Sequence, residues 1–533
     1  MSAGVAANRP RGVLIGSASA SLYLVLQVAC GVLLAPLARR ALGAQPYDWW
    51  LAASQALAWL VLADLGLGQA LTNAIVQARA AGDDARVARG VWTVTAVLAC
   101  AGALVLALGC AMPWIPVEAL LPEPPADPAP LRWTLAVLLL TFGLRLPLVG
   151  AAWAWRGLQA PHVLTNWLLL IPPVQLGAAW LAFRGGGGIV ALATVSGVVN
   201  GVVVAAAAVH LWWGQPGLRR ARFDGALLRE LWPAAWPFAV IQVAAVVALQ
   251  TDNLVLIHAL GDQGQVAPYA LPMRLSMMVH ALLLGFLGVL WPALGDLAAR
   301  GRGERVREVW ARVLRLTIWI AAAGAAGLVV LGRPVLHWWV PEVPFAPEGT
   351  WLLVVFGAQL VLRSWVALQA TAANALGLQR RTMGWFALEA AVNLTLSLGL
   401  VWGYGRLGVA TASLIAVAIP ALALPGVVAR GLGAPVGLAW LRAARACWPG
   451  LAAVAAVLAA GVCGPAPEDR RGVILAIVIG VTAGVAATLL GGTTPADRVF
   501  ARRMLARALG RATVQGPAQD IAEEGRNAGI RAP

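Results

Sequence analysis

Six ionisable residues interrupt the long apolar runs of this sequence: Asp64, Arg145, Asp252, Arg274, Arg363 and Glu389. A charge at the centre of a membrane helix costs about 2.5 to 3.5 kcal/mol on insertion scales, so each should face the protein interior or a watery cavity. Arginine keeps its charge there and presents a planar fork that grips phosphate or carboxylate oxygens in pairs. The carboxylates have two readings, as structural ion pairs with those arginines or as ligands of a coupling cation. Asp252 lies near a helix end and reads as an ion-pair partner; Asp64 and Glu389 stay open between the two. For Arg145 and Arg363 the ordinary alternative is a snorkelling or helix-pairing arginine.

The elements that must carry these residues follow from composition. The chain has 533 residues, 60% hydrophobic and 12% charged, with a mean hydropathy of +0.78. Its apolar residues fall in runs of about 20, the length of helix that crosses ~30 Å of hydrocarbon. This is an all-α integral membrane protein. Fourteen spans are expected: Val13 to Leu37, Trp50 to Val76, Val91 to Met112, Trp133 to Trp155, Val163 to Phe183, Ile189 to Trp213, Trp232 to Ile257, Val266 to Leu294, Val313 to Leu331, Trp351 to Ala373, Met383 to Val401, Val409 to Val427, Trp448 to Cys463 and Val473 to Leu490. A polar tail, Gly491 to Pro533, follows.

A net charge of +16 would ordinarily raise a nucleic-acid partner, but all 39 basic residues are arginines scattered between apolar runs, the pattern of positive-inside topology. No basic face or base-stacking aromatic module accompanies them, and nucleic acid is excluded as a partner. Counted across alternate loops, 28 arginines flank one side and 8 the other. Both termini are therefore expected in the cytoplasm. Arg39 and Arg40 fall on the wrong side. Arg9 and Arg11 precede a run too long for a secretory core, which reads as an uncleaved first span. The five cysteines have neither CxxC spacing nor a partner framework and read as small buried hydrophobes.

Three landmarks repeat at a common offset. Gly82 to Val87 after the second span answers Gly301 to Val306 after the eighth, 219 residues on. Gly157-Leu158-Gln159 answers Gly377-Leu378-Gln379, and Gly188-Ile189-Val190 answers Gly408-Val409-Ala410, both at 220. Order and spacing together suggest two six-helix halves, residues 1–213 and 214–430, followed by an extra helix pair at 431–490 and a cytoplasmic tail at 491–533. An even number of spans separates equivalent helices, so the halves are parallel and enclose a central cavity, as in transporters that rock about a midplane site. Arg145 and Arg363 fall on equivalent fourth and tenth helices, two residues out of register.

Several residues carry a resemblance. Ala63-Asp64-Leu65-Gly66-Leu67-Gly68 with its following Gly-Asp turn, Asp252-Asn253, Leu260-Gly261, Val266-Ala267-Pro268-Tyr269, Arg274-Leu275, and the run Glu389, Asn393-Leu394, Leu396, Gly405, Gly408-Val409-Ala410 are similar to polysaccharide flippases of the multidrug/oligosaccharidyl-lipid/polysaccharide exporter superfamily. The likeness covers Val13 to Val427; the last two spans resemble an addition found in some members, lipid II flippases among them. The resemblance implies flipping of an undecaprenyl-diphosphate-linked oligosaccharide across the bacterial inner membrane, for O-antigen, lipopolysaccharide or exopolysaccharide synthesis. Its partners would be that substrate, membrane lipids and other polysaccharide-assembly proteins. Lipid II flippases carry arginines on the first helix; this chain has none between Val13 and Leu37, which favours a surface-polysaccharide unit.

A diphosphate crossing hydrocarbon needs cationic partners along its path. Arg274, on a helix that shares the resemblance, is the first candidate substrate-binding residue, followed by Arg145 and Arg363. Asp64, Glu389 and Asp252 are the candidates for cation coupling or ion pairing. Within the superfamily the alternatives are a cation-coupled multidrug exporter and a lipid II flippase; outside it, a membrane polymerase or sugar transferase. An enzyme of that kind should carry a large exported loop with catalytic carboxylates, and the longest loop on that side is a short proline-rich one near Pro113 to Arg132. No cofactor, metal or catalytic motif is present, and His162, His210, His258, His280 and His337 are scattered.

Overall fold

The computed structural model describes residues 9–433, apart from 121–126, 159, 216, 219–220, 261–265, 300–302, 344 and 346. Every regular element among them is helical. The final helix pair and the polar tail expected from the sequence lie outside the described residues.

Helix α1 (Arg9–Leu42) turns through Gly43 into α2 (Ala44–Ala58). The second apolar run, expected as one span, is broken. α2 passes into a 3-10 turn, Trp59–Asp64, and Leu65 and Gly66 take left-handed φ values of 50° and 73° before α3 (Leu67–Ala80) resumes. Glycine is required at 66 on two counts: its φ is costly for a side chain, and a Cβ there would collide with the backbone carbonyl of Ala235.

The chain continues with α4 (Asp84–Ala111), capped by the Asp83 carboxylate accepting from Arg86 N at 2.8 Å, and α5 (Ala129–Gly157). The fifth run is split into α6 (Pro161–Leu168) and α7 (Ile171–Arg184), since Pro172 and Pro173 cannot donate to the preceding turn. After α8 (Ile189–Gly214), the seventh run divides at Thr251 into α9 (Gly225–Gln250) and α10 (Asp252–Leu260). Then come α11 (Ala267–Ala299), α12 (Gly303–Trp339), α13 (Gly349–Ala375) and α14 (Gln379–Gly431).

α14 has 53 residues. Straight, it would reach about 80 Å, more than twice the hydrocarbon thickness. It folds back at Gly405, whose φ of 54° and ψ of −134° are not helical. The proof is a hydrogen bond from Asn393 Nδ2 to Ser413 Oγ at 2.7 Å, joining residues that a straight helix would hold about 30 Å apart. Among the described residues nine helices are long and apolar enough to cross a bilayer, α14 counting once. The fourteen spans expected are therefore not reproduced as such: the second and eighth runs are not among the nine, two others share α14 on either side of its reversal, and the last two lie outside the described residues.

Lipid tails are as apolar as leucine, so helices in a membrane associate through close backbone approach. α4 and α5 meet this way: a Cβ on Gly102 would lie 2.6 Å from the Gly143 carbonyl oxygen. α3, α4, α5 and α8 pack among themselves, and so do α11 to α14. α1 lies against α6, α7 and α11, while α9 reaches from α3 to α14, so these two join the groups.

Candidate functional site

The C-terminal helices hold several buried polar contacts. Arg363 of α13 meets Glu389 of α14 at 3.4 Å, with both side chains largely buried, and a second guanidinium nitrogen reaches the Ala248 carbonyl at 3.4 Å. Asp252, read from the sequence as an ion-pair partner, feels the charge of Arg363 and is hydrogen-bonded by two hydroxyls. Tyr269 donates to its Oδ2 at 2.6 Å and Ser413 to the same oxygen at 3.1 Å, with Asn393 donating to Ser413 in turn. Asp252 opens α10 after the Thr251 break, where helix α9 ends, so the break sets the carboxylate between α11 and α14. Gln359 donates to the Ala410 carbonyl at 2.8 Å, and His280 lies 3.3 Å from Ser364.

The N-terminal helices are different. Arg145 of α5 stacks over the Phe142 ring at 5.1 Å, and its electrostatic neighbour is Tyr23 of α1. It forms no ion pair among the described residues. Asp64 has no arginine partner among the described residues either: it accepts from the Gly66 N–H at 2.9 Å and from the Gln242 side chain, fastening the break before α3 to α9. Arg274 of α11 faces α1 across Gly31, where a Cβ would lie 3.6 Å from its guanidinium, and Tyr47 is nearby. Tyr23 and Gly31 are eight residues apart on α1, about 12 Å along its axis. Arg145 and Arg274 thus flank one helix at two depths.

Outside the membrane segments, arginines gather at opposite ends. Arg79 donates to the Leu158 carbonyl, Arg86 pairs with Glu230, Arg89 lies 3.9 Å from Asp224, and Arg380 donates to the Pro233 carbonyl. At the other end each described arginine is matched. Arg40 meets Glu342 at 2.8 Å, Arg132 pairs with Glu118, and Arg406 meets Glu348 at 2.6 Å. Arg39, Arg184 and Arg333 lie over Tyr47, Trp180 and Phe345. The hydrogen bond from Arg132 holds the Glu118 carboxyl below its ordinary pKa. Burial pushes Glu342 up, and its hydrogen bonds to Arg40 and the backbone, together with the charges of Arg40 and Arg39, more than offset this and leave it lowered as well. The Arg39 and Arg40 exception has a local cause: one is buried against an aromatic ring and the other is neutralised by a carboxylate.

Sequence reasoning singled out the charged members but gave no role to Tyr23, Phe142 or Ser413, whose partners lie 3 to 161 residues away. Tyr269 and Asn393 were flagged by resemblance alone. Among the described residues no group of three His, Cys, Asp or Glu side chains could hold a metal ion.

The family model described as polysaccharide biosynthesis protein matches residues 32–298, half of the chain. The chain belongs to the polysaccharide biosynthesis protein family. No curated protein sequence matches it. This family member has the fold of solved MATE transporters of the MOP superfamily. A variant of the Vibrio cholerae MATE transporter VcmN is 18% identical with a TM-score of 0.62, over 82% of this chain and 96% of that one. An inward-facing multidrug resistance MATE family transporter is 15% identical with a TM-score of 0.60, over 77% and 95%. A MOP superfamily transporter from Pyrococcus furiosus is 14% identical with a TM-score of 0.58, over 79% and 96%. The family member is a multi-pass membrane protein.

Proposed function

We propose that the protein flips an undecaprenyl-diphosphate-linked oligosaccharide from the cytoplasmic to the periplasmic leaflet of the bacterial inner membrane, for surface polysaccharide synthesis. The observation that carries this reading is the pair of arginines flanking α1, Arg145 and Arg274, neither of which forms an ion pair among the described residues. A diphosphate would exchange water for guanidinium forks at two successive depths. Arg363, already paired with Glu389, contributes to the shape of the C-terminal helices more than to cargo binding. Glu389 and Asp252 then act as structural partners within that group, and Asp64 fixes the helix break.

The proposed architecture is two parallel six-helix halves, 1–213 and 214–430, with both termini cytoplasmic and a further helix pair at 431–490. Rocking of the halves would part Arg40 from Glu342 on the exported side while Arg86 stays with Glu230, and the reverse in the opposite state. The likeness to MATE transporters supports a second reading, a cation-coupled multidrug exporter. An anionic lipid cargo is favoured over it because two unneutralised arginines would repel cationic drugs.

The test is transport in proteoliposomes with a lipid-diphosphate oligosaccharide placed on one leaflet and scored by access of a sugar-modifying reagent. Wild type should move it. Arg145→Gln and Arg274→Gln should each lower the rate tenfold or more at normal protein recovery. Unchanged transport in both variants would overturn the phosphate role, and movement of cationic drugs alone would favour the exporter.

A further inference from the structure

The reversal of α14 at Gly405 brings the start of the helix beside its end, as the contact of Gly431 with Leu378 shows. Between the two lies an open cavity of about 330 Å³ lined by Arg381, Trp385, Val427 and Arg430. It is remote in sequence and element from Arg145 and Arg274, and the transport reading makes no use of it.

Its lining is built for one kind of ligand. Arg381 and Trp385 are one turn apart, so they share a face of the helix, with the arginine nearer the helix end and the indole deeper. Arg430 donates through Nε to the Gly426 carbonyl at 3.1 Å, which holds the guanidinium in place and leaves its two terminal nitrogens uncommitted among the described residues. The Arg381 side chain makes no hydrogen bond or ion pair among the described residues. Its neighbour Arg380 turns away to the Pro233 carbonyl. No acidic residue lies in the first turn of α14. Two guanidiniums therefore face one cavity with no carboxylate paired to them among the described residues.

Such a pair fits an anion that can be gripped at several oxygens, and phosphate esters fit best. The surroundings specify a lipid. The arginines stand at the polar end of a membrane helix, tryptophan is the residue that settles at headgroup level, and basic pockets between membrane helices take phospholipid headgroups. Further along the same helix, Trp385 and Leu388 are 38% and 44% exposed and lie side by side, apolar surface against which the start of an acyl chain can rest. We infer that Arg381 and Arg430 clamp the phosphate headgroup of an anionic membrane phospholipid in the arginine-rich leaflet, with Trp385 against its glycerol region.

The test uses the full chain, delipidated in detergent and examined by native mass spectrometry with phosphatidylglycerol, phosphatidylethanolamine or inorganic phosphate as probes. Phosphatidylglycerol should be retained at least tenfold better than phosphatidylethanolamine, and inorganic phosphate in hundredfold excess should not displace it. The double variant Arg381→Gln with Arg430→Gln should lose that retention tenfold or more. Arg222→Gln with Arg229→Gln, an equal loss of charge elsewhere on the same face, should keep it. Should the glutamine pair fail to fold, Arg381→Lys with Arg430→Lys keeps the charge without the fork and should still retain the lipid several-fold less well than wild type. Equal retention by the glutamine pair, or an equal loss in the Arg222 and Arg229 control, would overturn the site. Displacement by inorganic phosphate, or no preference between the two lipids, would overturn the assignment to an anionic phospholipid.

Discussion

Arg145 and Arg363 sit near the middle of long membrane helices in the N-terminal and C-terminal groups, yet their surroundings are opposite. Arg363 is bound to Glu389, and its charge is felt by His280, Tyr269 and Asp252. Arg145 has an aromatic ring and a tyrosine for company. A buried cation with a carboxylate is already neutralised and serves structure. One held by a ring is oriented without being neutralised, and remains available to an anion. The difference teaches that an intramembrane arginine is assigned a role by its partner and not by its depth.

Breaking the neutral pair should produce the largest effect. Glu389→Ala leaves Arg363 buried and unpaired, which typically costs about 3 to 5 kcal/mol, so protein recovery and melting temperature should both fall sharply. Combining Arg363→Met with Glu389→Leu should restore much of the loss. If Glu389→Ala melts like wild type, Arg363 is not neutralised by this carboxylate and the contrast collapses.

Arg145→Gln should do the converse, leaving melting within a few degrees of wild type while transport falls tenfold or more, with Arg145→Lys intermediate. A fall in melting temperature as large as that of Glu389→Ala would show that both arginines are structural. A smaller effect is expected of Phe142→Leu. Losing a cation–π contact of about 0.5 to 2 kcal/mol should weaken cargo binding a few-fold in a concentration series, with the maximal rate unchanged. Smallest of all, a double-mutant cycle on Arg40 and Glu342 should give a coupling of about 0 to 1 kcal/mol that fades with salt, as exposed pairs do. A coupling as large as that of Arg363 with Glu389 would mean that the contrast between buried and exposed pairs does not hold in this protein.

Much of the fold was legible because a bilayer leaves few options, and apolar length marks the spans. What was not legible depends on distant neighbours. The run from Trp50 to Val76 reads as one helix. It breaks at Leu65 and Gly66, and the glycine there is fixed by the carbonyl of Ala235, far along the chain, which leaves no room for a side chain. The break in the fifth run left a local trace in Pro172 and Pro173, and the reversal at Gly405 falls between the two runs Met383 to Val401 and Val409 to Val427. The charged site residues announced themselves by being expensive in lipid. Their partners did not, since Tyr23, Phe142 and Ser413 are ordinary residues until folding sets them beside Arg145 and Asp252.

The turn at Gly405 has a mechanical meaning. Two antiparallel rods joined by a single residue have no slack, so neither can slide past the other by more than a fraction of a turn. The Asn393 to Ser413 bond and the seat of Gly431 against Leu378 fasten the pair near its middle and at its open end. This hairpin behaves as a rigid lever. On the transport reading, a displacement of the C-terminal helices relative to α1 would then be absorbed at the helix breaks, at Leu65 and Gly66 and at Thr251.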